Sequence, residues 1–237
     1  MGSVISKVCN LCGQDKKLKN QIGPVTIYEP CTCEGSQAEI EAEKDKIKND
    51  IIKKRMISIA GLIKKSLILP NEKSMSFDNF IVNDNNGEAL DKCEKYVKNY
   101  KKYKKQGFGV FIIGGVGIGK THLAISIGIG IMKKYLSRVL FVTAIDVSQK
   151  RVSWLDITGA ELVILDDLGT EGTNEYSLEL IYSFLDYRYR LMKPTLITTN
   201  LTSEELLERY KVRLMSRLSR NGMIKFKDED HRLIKTR

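Results

Sequence analysis

The sequence predicts an α/β fold in which helices flank a parallel β-sheet. Apolar runs with strand character alternate with helix-length segments, and these runs are residues 110–113, 138–143, 161–165 and 194–199. Alternation at this spacing is typical of strand–helix–strand units, whose strands run parallel. Such sheets bind ligands at the carboxyl ends of their strands. Glycines, carboxylates and an asparagine follow three of the runs. We therefore expect the functional site at the edge of the sheet where the carboxyl ends of the strands lie.

The composition describes a basic chain with enough apolar residues for a hydrophobic core. Its 237 residues are 42% hydrophobic and carry a net charge of +10. This length suits one large domain with a smaller appendage, and the charge favours a polyanionic partner, either nucleic acid or an acidic protein surface. No apolar run reaches the roughly 18 residues of a membrane span, and the N-terminus lacks a signal-peptide pattern. We therefore expect a cytoplasmic protein without a membrane partner.

A glycine-rich loop follows the run 110–113 and has the pattern of a phosphate-binding loop. Gly114, Gly119, Lys120 and Thr121 form G-x-x-x-x-G-K-T, and a helical apolar pattern follows the loop. This order of strand, loop and helix defines a P-loop. Its glycines let backbone N–H groups turn towards a phosphate, Lys120 reaches the β- and γ-phosphates, and the Thr121 hydroxyl holds Mg²⁺. The pattern alone fits kinases, GTPases and transporters.

Two carboxylates and one amide follow later strands and complete the predicted site. Asp166 and Asp167 follow the run 161–165, where Asp166 can hold Mg²⁺ and Asp167 can polarise an attacking water. Asn200 follows the run 194–199, and its amide could orient that water against the γ-phosphate. An asparagine after a strand is also a common turn residue or helix cap. The order of P-loop, carboxylates and asparagine favours the functional interpretation.

Four cysteines lie close together near the N-terminus. Cys9 and Cys12 form C-x-x-C, and Cys31 and Cys33 form C-x-C. The segment around them holds too few apolar side chains to fold without a further stabilising element. Four thiolates close a tetrahedral structural Zn²⁺ site, and we predict Zn²⁺ here. Free structural thiols are the alternative.

Two further segments predict basic helices. The first, residues 36–69, has Ser36 as its N-cap and carries isoleucines at helical spacing between lysines. It could dock on a partner or cover its own domain. The second, about residues 88–105, places lysines on one face, interleaved with tyrosines. That face could contact nucleic acid or stay solvated.

Aromatic and basic residues on either side of the predicted strands have two interpretations each. Phe77 and Phe80, just ahead of the P-loop core, could pack near an adenine or form a hydrophobic plug. Arg213, Arg217 and Arg220 lie on a short helical stretch. One of them could act as an arginine finger on a neighbouring subunit, or all could belong to a basic surface helix.

A series of segments also occurs in a specific order: SFDNF, FIIGGVGIGKTHLA, RVLFVTA, LVILDDLGTE, KPTLITTN and VRLMSRL. Together they resemble the AAA+ ATPases of the DnaC/DnaI replicative helicase loaders, with IstB-type transposition helpers as close kin. The resemblance covers about residues 75–237. The N-terminal cysteine pairs and the basic helix after them are also similar to the zinc-bearing region with which loaders grip a hexameric helicase. IstB helpers usually lack that segment, which favours the loader.

The resemblance implies an AAA+ P-loop ATPase domain in residues 71–237 and a zinc-binding, helical, helicase-binding region in residues 1–70. It implies ATP, Mg²⁺ and Zn²⁺ as cofactors and a low intrinsic rate of ATP hydrolysis. The implied catalytic residues are Lys120, Asp166, Asp167, Asn200 and Arg217, the last as a finger acting in trans with Arg213 as the nearest alternative. The implied nucleotide-binding residues are Gly114, Gly115, Val116, Gly117, Ile118, Gly119, Lys120, Thr121, His122 and Arg232, the last as a second sensor. The implied metal ligands are Thr121 and Asp166 for Mg²⁺ and Cys9, Cys12, Cys31 and Cys33 for Zn²⁺.

The implied function is ATP-dependent loading of the replicative DNA helicase when DNA replication begins. The alternatives are an IstB-like transposition helper and a regulatory module that binds ATP but barely hydrolyses it. The implied partners are the hexameric helicase, further copies of this chain assembled on it, and single-stranded DNA. Loaders carry a helical insertion before the carboxylate strand that touches DNA. Here residues 144–160 fill that place and are too short for two full helices, so the resemblance does not extend to this insertion.

Overall fold

The computed structural model describes residues 6–22, 25–218 and 221–226. The chain divides into two compact units, Met1–Ile57 and Ser58–Arg237. The division falls inside a long helix, ahead of the boundary at residue 70 expected from the sequence. The assignment of residues 1–70 and 71–237 to two functional domains remains a prediction.

The first unit contains a hairpin and most of a long helix. Strands β1 (Leu18–Ile22) and β2 (Val25–Tyr28) pair antiparallel. Helix α1 spans Glu34–Lys64, so the expected span of 36–69 was wrong at both ends. Ser36 lies inside the helix and does not cap it, because the helix begins two residues earlier. The helix ends at Lys64, ahead of Pro70, and Leu67 in the segment after it adopts a left-handed conformation with φ 64°.

Helix α1 buries no residue completely, although it carries many apolar side chains. In the part that lies in the first unit, the exposed ones are Ile47, Ile51, Ile52, Met56 and Ile57. In the part that lies in the second unit, Leu62 and Ile63 pack against the hydrophobic core. The helix therefore has a packed end, while the isoleucines before residue 58 are exposed.

The second unit is built on a five-stranded parallel sheet, which confirms the predicted fold class. Its strand order is β4-β5-β6-β3-β7, and every neighbouring pair is parallel. The strands are β3 (Val110–Ile113), β4 (Val139–Thr143), β5 (Leu162–Leu168), β6 (Thr195–Thr199) and β7 (Gly222–Lys225). Four of them match the expected runs within a few residues. β7 was not expected, because it is short and follows a basic stretch with a helical pattern.

Helices cover both faces of this sheet. They are α2 (Gly87–Gln106), α3 (Lys120–Tyr135), α4 (Ala144–Ser148), α5 (Trp154–Gly159), α6 (Glu175–Arg190) and α7 (Ser203–Leu218). Alternate residues of β3 enter different cores: Val110 and Ile112 pack with α2 and α3, whereas Phe111 and Ile113 pack with α4, α6 and α7. This alternation follows from the two-residue period of a strand. The segment 144–160 forms only the two short helices α4 and α5, of 5 and 6 residues.

The lysine-rich helix α2 is tied to the core by one face. Cys93, Tyr96 and Tyr100 are buried, while several of its lysines pair with acids four residues earlier. These pairs are Lys92 with Glu88, Lys95 with Asp91 and Lys98 with Glu94. The pairing lowers the net charge of the exposed face below what the lysine count suggests. Within the described part of the chain, no helix is both long enough and apolar enough to span a bilayer.

Candidate nucleotide site and cysteine cluster

The predicted P-loop lies where the carboxyl ends of three strands meet. β3 leads into the loop and lies between β6 and β7 in the sheet, and β5 is the strand on the far side of β6. Because these strands are parallel, Asp166 near the end of β5 and Asn200 after β6 lie at the same edge as Lys120. The structure therefore brings together residues that are 80 positions apart in the sequence, as shown by the contact between Lys120 and Asn200.

The loop backbone depends on glycine at two positions. Gly117 has φ 80° and Gly119 has φ 98°, both in the left-handed region that side chains rarely adopt. A Cβ atom at Gly119 would also lie 2.7 Å from the Phe80 ring. Lys120 is buried at the start of α3, and its Nζ donates to the carbonyl oxygen of Gly115 at 2.5 Å and to Oδ1 of Asn200 at 2.6 Å. These contacts hold the ammonium group against the loop.

The magnesium side of the site is built from hydroxyl and carboxylate oxygens. The Thr121 hydroxyl lies 3.1 Å from both carboxylate oxygens of Asp166. Thr198, on β6, donates its hydroxyl to Asp166 at 2.6 Å and accepts the backbone N–H of Asp167 at 2.8 Å. Mg²⁺ prefers hard oxygen ligands and usually takes one or two carboxylates. Thr121 and Asp166 are therefore a donor set that fits this ion.

Burial raises the pKa of Asp166 to about 6. The Thr198 hydroxyl opposes this increase by hydrogen bonding, while the nearby carboxylate of Asp167 adds to it; Thr121 and Glu72 contribute smaller effects in opposite directions. A divalent cation at this place would favour the ionised carboxylate. Asp167 itself is half-buried and has φ 54°, a sparsely populated conformation for a residue with a side chain.

His122 and the two phenylalanines form a support beneath the loop. His122 Nε2 lies 2.9 Å from the carbonyl oxygen of Ser76, and its ring meets the edge of Phe80 at a centroid distance of 5.3 Å. Phe80 is buried in the core, and Phe77 packs against the same cluster. Phe80 thus acts as a hydrophobic plug under Gly119.

The predicted arginines lie elsewhere. Arg217 is near the end of α7, where its Nε donates to Asp186 at 2.7 Å and its guanidinium lies 5.3 Å from the Tyr189 ring centre. It lines a pocket with Thr195, the first residue of β6, so it lies at the opposite edge of the sheet from Lys120. This position excludes direct contact with the P-loop of the same chain and leaves a role in trans open. The side chain of Arg213 and all of Arg220 and Arg232 lie outside the described residues.

Several residues of the site were not recognised in the sequence. Thr198 is the most central, and the paired threonines before Asn200 were its only signal. Glu72 carried no recognisable signal in the sequence, yet its charge acts on Asp166. Lys225, at the end of β7, lines a cavity of about 330 Å³ together with Gly114 and Asn200. Its place could not be predicted because β7 itself was not expected.

In the first unit, the four predicted zinc ligands come together. All four sulfurs lie within 4.8 Å of one another, with Cys9 and Cys33 at 3.8 Å and Cys12 and Cys31 at 3.5 Å. A tetrahedral site with Zn–S bonds of about 2.3 Å places its sulfurs about 3.8 Å apart. The cluster therefore fits Zn²⁺ in size and ligand type.

The backbone around the cluster shapes a compact turn. Gly13 closes the first cysteine pair with φ 72° and donates its N–H to the carbonyl oxygen of Cys9 at 2.9 Å. Hydrogen bonds from the backbone N–H groups of Leu11 and Cys12 lower the pKa of Cys9 to about 6. Cys33 immediately precedes α1. The turn thus favours a thiolate at Cys9, the form that binds zinc.

The fold and the P-loop site together define an AAA+ ATPase domain, and comparison with known proteins gives its family. Residues 71–224 match the bacterial DnaA ATPase domain. The chain therefore belongs to the bacterial DnaA ATPase domain family.

Individual relatives include both replication initiators and helicase loaders. The chain is 32% identical over 209 residues to the chromosomal replication initiator protein DnaA of Onion yellows phytoplasma, covering 82% of this chain and 39% of that protein. It is 24% identical over 213 residues to the replicative helicase loader DnaI of Bacillus subtilis, covering 85% of this chain and 67% of that protein. The crystal structure of the DnaC helicase loader matches with a TM-score of 0.60 and 25% identity, over 67% of this chain and 100% of that chain.

These comparisons confirm the resemblance to AAA+ ATPases of the DnaC/DnaI type. The chain spans about half the length of the curated relatives it matches, 55% of one and 39% of another. The activities and partners of those longer proteins are therefore considered below as proposals.

Proposed function

We propose that this protein is an ATP-hydrolysing loader of a replicative DNA helicase. The observation that carries the proposal is the meeting of Lys120, Thr121, Asp166 and Asn200 at one sheet edge. The likeness to a DnaC helicase loader over the whole of that chain supports the loader interpretation, as does the cysteine cluster of the first unit.

In this proposal each residue of the site has one role towards ATP. The loop amides and Lys120 bind the β- and γ-phosphates, and Thr121 and Asp166 hold Mg²⁺, which offsets phosphate charge when bound. Asp167 polarises the attacking water, and Asn200 orients it. Because Lys120 contacts Asn200, phosphate binding would exchange that contact for phosphate oxygens and free the amide for the water.

The arginine finger comes from a second copy of the chain. Arg217 pairs with Asp186 in its own chain, so the finger must leave this partner to reach a neighbour's γ-phosphate. An assembly of several chains on the helicase would bring the two together. Turnover would then depend on assembly, so a low rate is expected for the isolated chain.

The first unit supplies the grip on the helicase. Zn²⁺ bound by the cysteine cluster would hold the short hairpin region together, since structural zinc sites contribute folding free energy directly. The exposed isoleucines of α1 offer an apolar surface within a lysine-rich helix. ATP binding in the second unit would switch the protein between states that hold and release the helicase, with single-stranded DNA as a further partner.

The decisive experiment is capture of a purified hexameric replicative helicase, with and without ATP. Capture by the wild type is expected, whereas failure under both conditions would contradict the loader proposal and leave the transposition helper as the alternative. ATP turnover is compared in parallel between the wild type, Lys120→Ala and Asp167→Asn. Equal and negligible rates in all three would show a module that does not hydrolyse ATP.

A further inference from the structure

Beyond the predicted site residues, one fully buried carboxylate lies between the nucleotide site and α7. Glu171 belongs to the segment that follows β5, and its side chain is completely shielded from solvent. Its Oε1 accepts hydrogen bonds from Arg209 Nη2 at 3.1 Å, from Arg209 Nε at 3.3 Å and from the Tyr210 hydroxyl. Its Oε2 accepts the backbone N–H of Gly169 at 2.9 Å. Glu171 therefore links its own loop to α7.

The loop between Asp167 and Glu171, here called the carboxylate loop (residues 167–171), is held as one piece. Thr170 donates both its hydroxyl, at 2.8 Å, and its N–H, at 3.1 Å, to the carbonyl oxygen of Asp167. Thr198 holds the N–H of Asp167 at the other end. A shift of Asp167 during ATP binding or hydrolysis would therefore move Glu171 with it.

The residues of α7 that contact Glu171 directly precede a kink in that helix. Arg209 also donates to the carbonyl oxygen of Glu171 at 2.5 Å, so two successive residues of α7 are fixed to this one glutamate. The next residue, Lys211, breaks the helical conformation with φ 59° and ψ 171°. Such a conformation is strained for a residue with a side chain and is typical of hinges and switches. The part of α7 beyond this kink carries Arg217.

The chemistry of the contact favours a positioning role over simple packing. A buried ion pair generally adds little stability compared with apolar residues of the same volume. Burial raises the pKa of Tyr210, and the hydrogen bond to Glu171 raises it further, so the phenol remains a donor. The network thus fixes a geometry between the carboxylate loop, which belongs to the nucleotide site, and α7, which carries the proposed finger Arg217.

We propose that Glu171 is a positioning residue which transmits the state of the carboxylate loop to α7 and so sets where Arg217 is presented to the neighbouring subunit. The inference rests on the proposed ATPase function. It adds a defined route from Asp167, through Glu171, Arg209 and Tyr210, to the kink at Lys211. Glu171 touches neither ATP nor the attacking water in this scheme.

The test follows hydrogen–deuterium exchange in the full chain with and without a non-hydrolysable ATP analogue and Mg²⁺. In the wild type, protection is expected to change in residues 114–124 and in residues 206–218. In Glu171→Gln, which removes the charge and keeps the shape, the change at 114–124 should persist and the change at 206–218 should be lost. Glu179→Gln, on α6 in a groove that Arg209 and Tyr210 also line, is the matched control and should behave as the wild type.

The rate of ATP hydrolysis provides a second, independent measurement. The kcat of Glu171→Gln on the helicase should fall at least about tenfold, part of the roughly 10³–10⁵-fold that an arginine finger contributes, while its Kd for the analogue stays unchanged. If Glu171→Gln does not fold, Tyr210→Phe removes a single hydrogen bond from the network and should weaken the response of residues 206–218.

Two results would overturn the inference. One is an α7 response of unchanged size in Glu171→Gln or Tyr210→Phe. The other is a wild type in which residues 114–124 respond and α7 does not. If residues 114–124 of the wild type do not respond at all, ATP binding itself fails and the coupling fails with it. Failure of ATP binding is thus detected at residues 114–124, and failure of the coupling is detected at α7.

Discussion

Thr198 offers a sharp test of the site because one buried hydroxyl bonds both the carboxylate of Asp166 and the backbone N–H of Asp167. It donates to Asp166 at 2.6 Å and accepts the N–H of Asp167 at 2.8 Å. Thr198→Val removes the hydroxyl and keeps nearly the same shape. A hydrogen bond to a charged group contributes about 1.5–3 kcal/mol, and a buried donor left without an acceptor costs about 1–3 kcal/mol. At pH 8 the variant should therefore lose about 3–5 kcal/mol of unfolding free energy.

The loss should depend on pH because Asp166 titrates. Its pKa rises from 3.8 to about 6 on folding, so the folded state binds a proton more tightly than the unfolded state does. Stability from this group is consequently present below pH 4 and falls as the pH rises through about 6, by about 3 kcal/mol in the wild type. At pH 5 the folded carboxyl is mostly protonated. The Thr198 hydroxyl then donates to a neutral carboxyl, and such a bond contributes about 0.5–1.5 kcal/mol instead of about 1.5–3 kcal/mol, so the loss in Thr198→Val should be about 1–1.5 kcal/mol smaller than at pH 8.

The measurement is urea unfolding at pH 5 and pH 8 without Mg²⁺, followed by tryptophan fluorescence. The chain has a single tryptophan, Trp154, which lies in α5 of the second unit and reports on that unit alone. Thr199→Val is the matched control: its hydroxyl donates to Leu168 at 2.6 Å and accepts from Leu201 at 3.1 Å, with no carboxyl involved. Equal losses for Thr198→Val at the two pH values, or a pH-dependent loss for Thr199→Val, would refute the reasoning.

Three further outcomes are expected. Cys33→Ser should abolish zinc binding and lower the protease resistance of residues 6–57, as measured by metal analysis and limited proteolysis; full zinc content in the variant would contradict the cluster as a site. Arg217→Ala and Lys120→Ala should each be nearly inactive on the helicase but recover ATP turnover when mixed, because one supplies the P-loop and the other the finger; a mixture no more active than its components would contradict action in trans. Arg188→Leu should lower the unfolding free energy by at least about 3 kcal/mol, because the buried guanidinium donates to several carbonyl oxygens, among them those of residues 160 and 194 at 2.8 and 2.6 Å. Arg188→Lys should lose less in the same fluorescence assay, and an unchanged midpoint in Arg188→Leu would contradict this account.

The sequence predicted well which residues meet at the candidate nucleotide site, because the elements that carry them follow local rules. A glycine pattern fixes the conformation of the loop, and parallel strands bring their carboxyl ends to one edge whatever lies between them. Lys120, Asp166 and Asn200 could therefore be placed together without knowledge of any contact. The cysteine spacing predicted its cluster in the same way.

Other features could not be predicted because they depend on partners far away in the chain. Thr198 and Glu171 are ordinary residues in the sequence and become important only through Asp167 and Arg209. β7 is four residues long, begins with a glycine and pairs only with β3, so its own residues carry little strand signal. The end of α1 was misplaced because Pro70 is the first clear stop signal in the sequence, whereas the helix already ends at Lys64.

The position of β3 in the sheet has a consequence for the synthesis of this protein. Val110 pairs with Leu196 on one side and with Gly222 on the other, so the strand that leads into the P-loop leaves the ribosome long before either neighbour exists. Pairings between such distant residues form slowly, since a long loop must close first. During translation the apolar residues of β3 must therefore wait without their strand partners, and until then they are open to aggregation or chaperone binding. The strand pairing around the phosphate loop can be complete only after residue 225 has emerged.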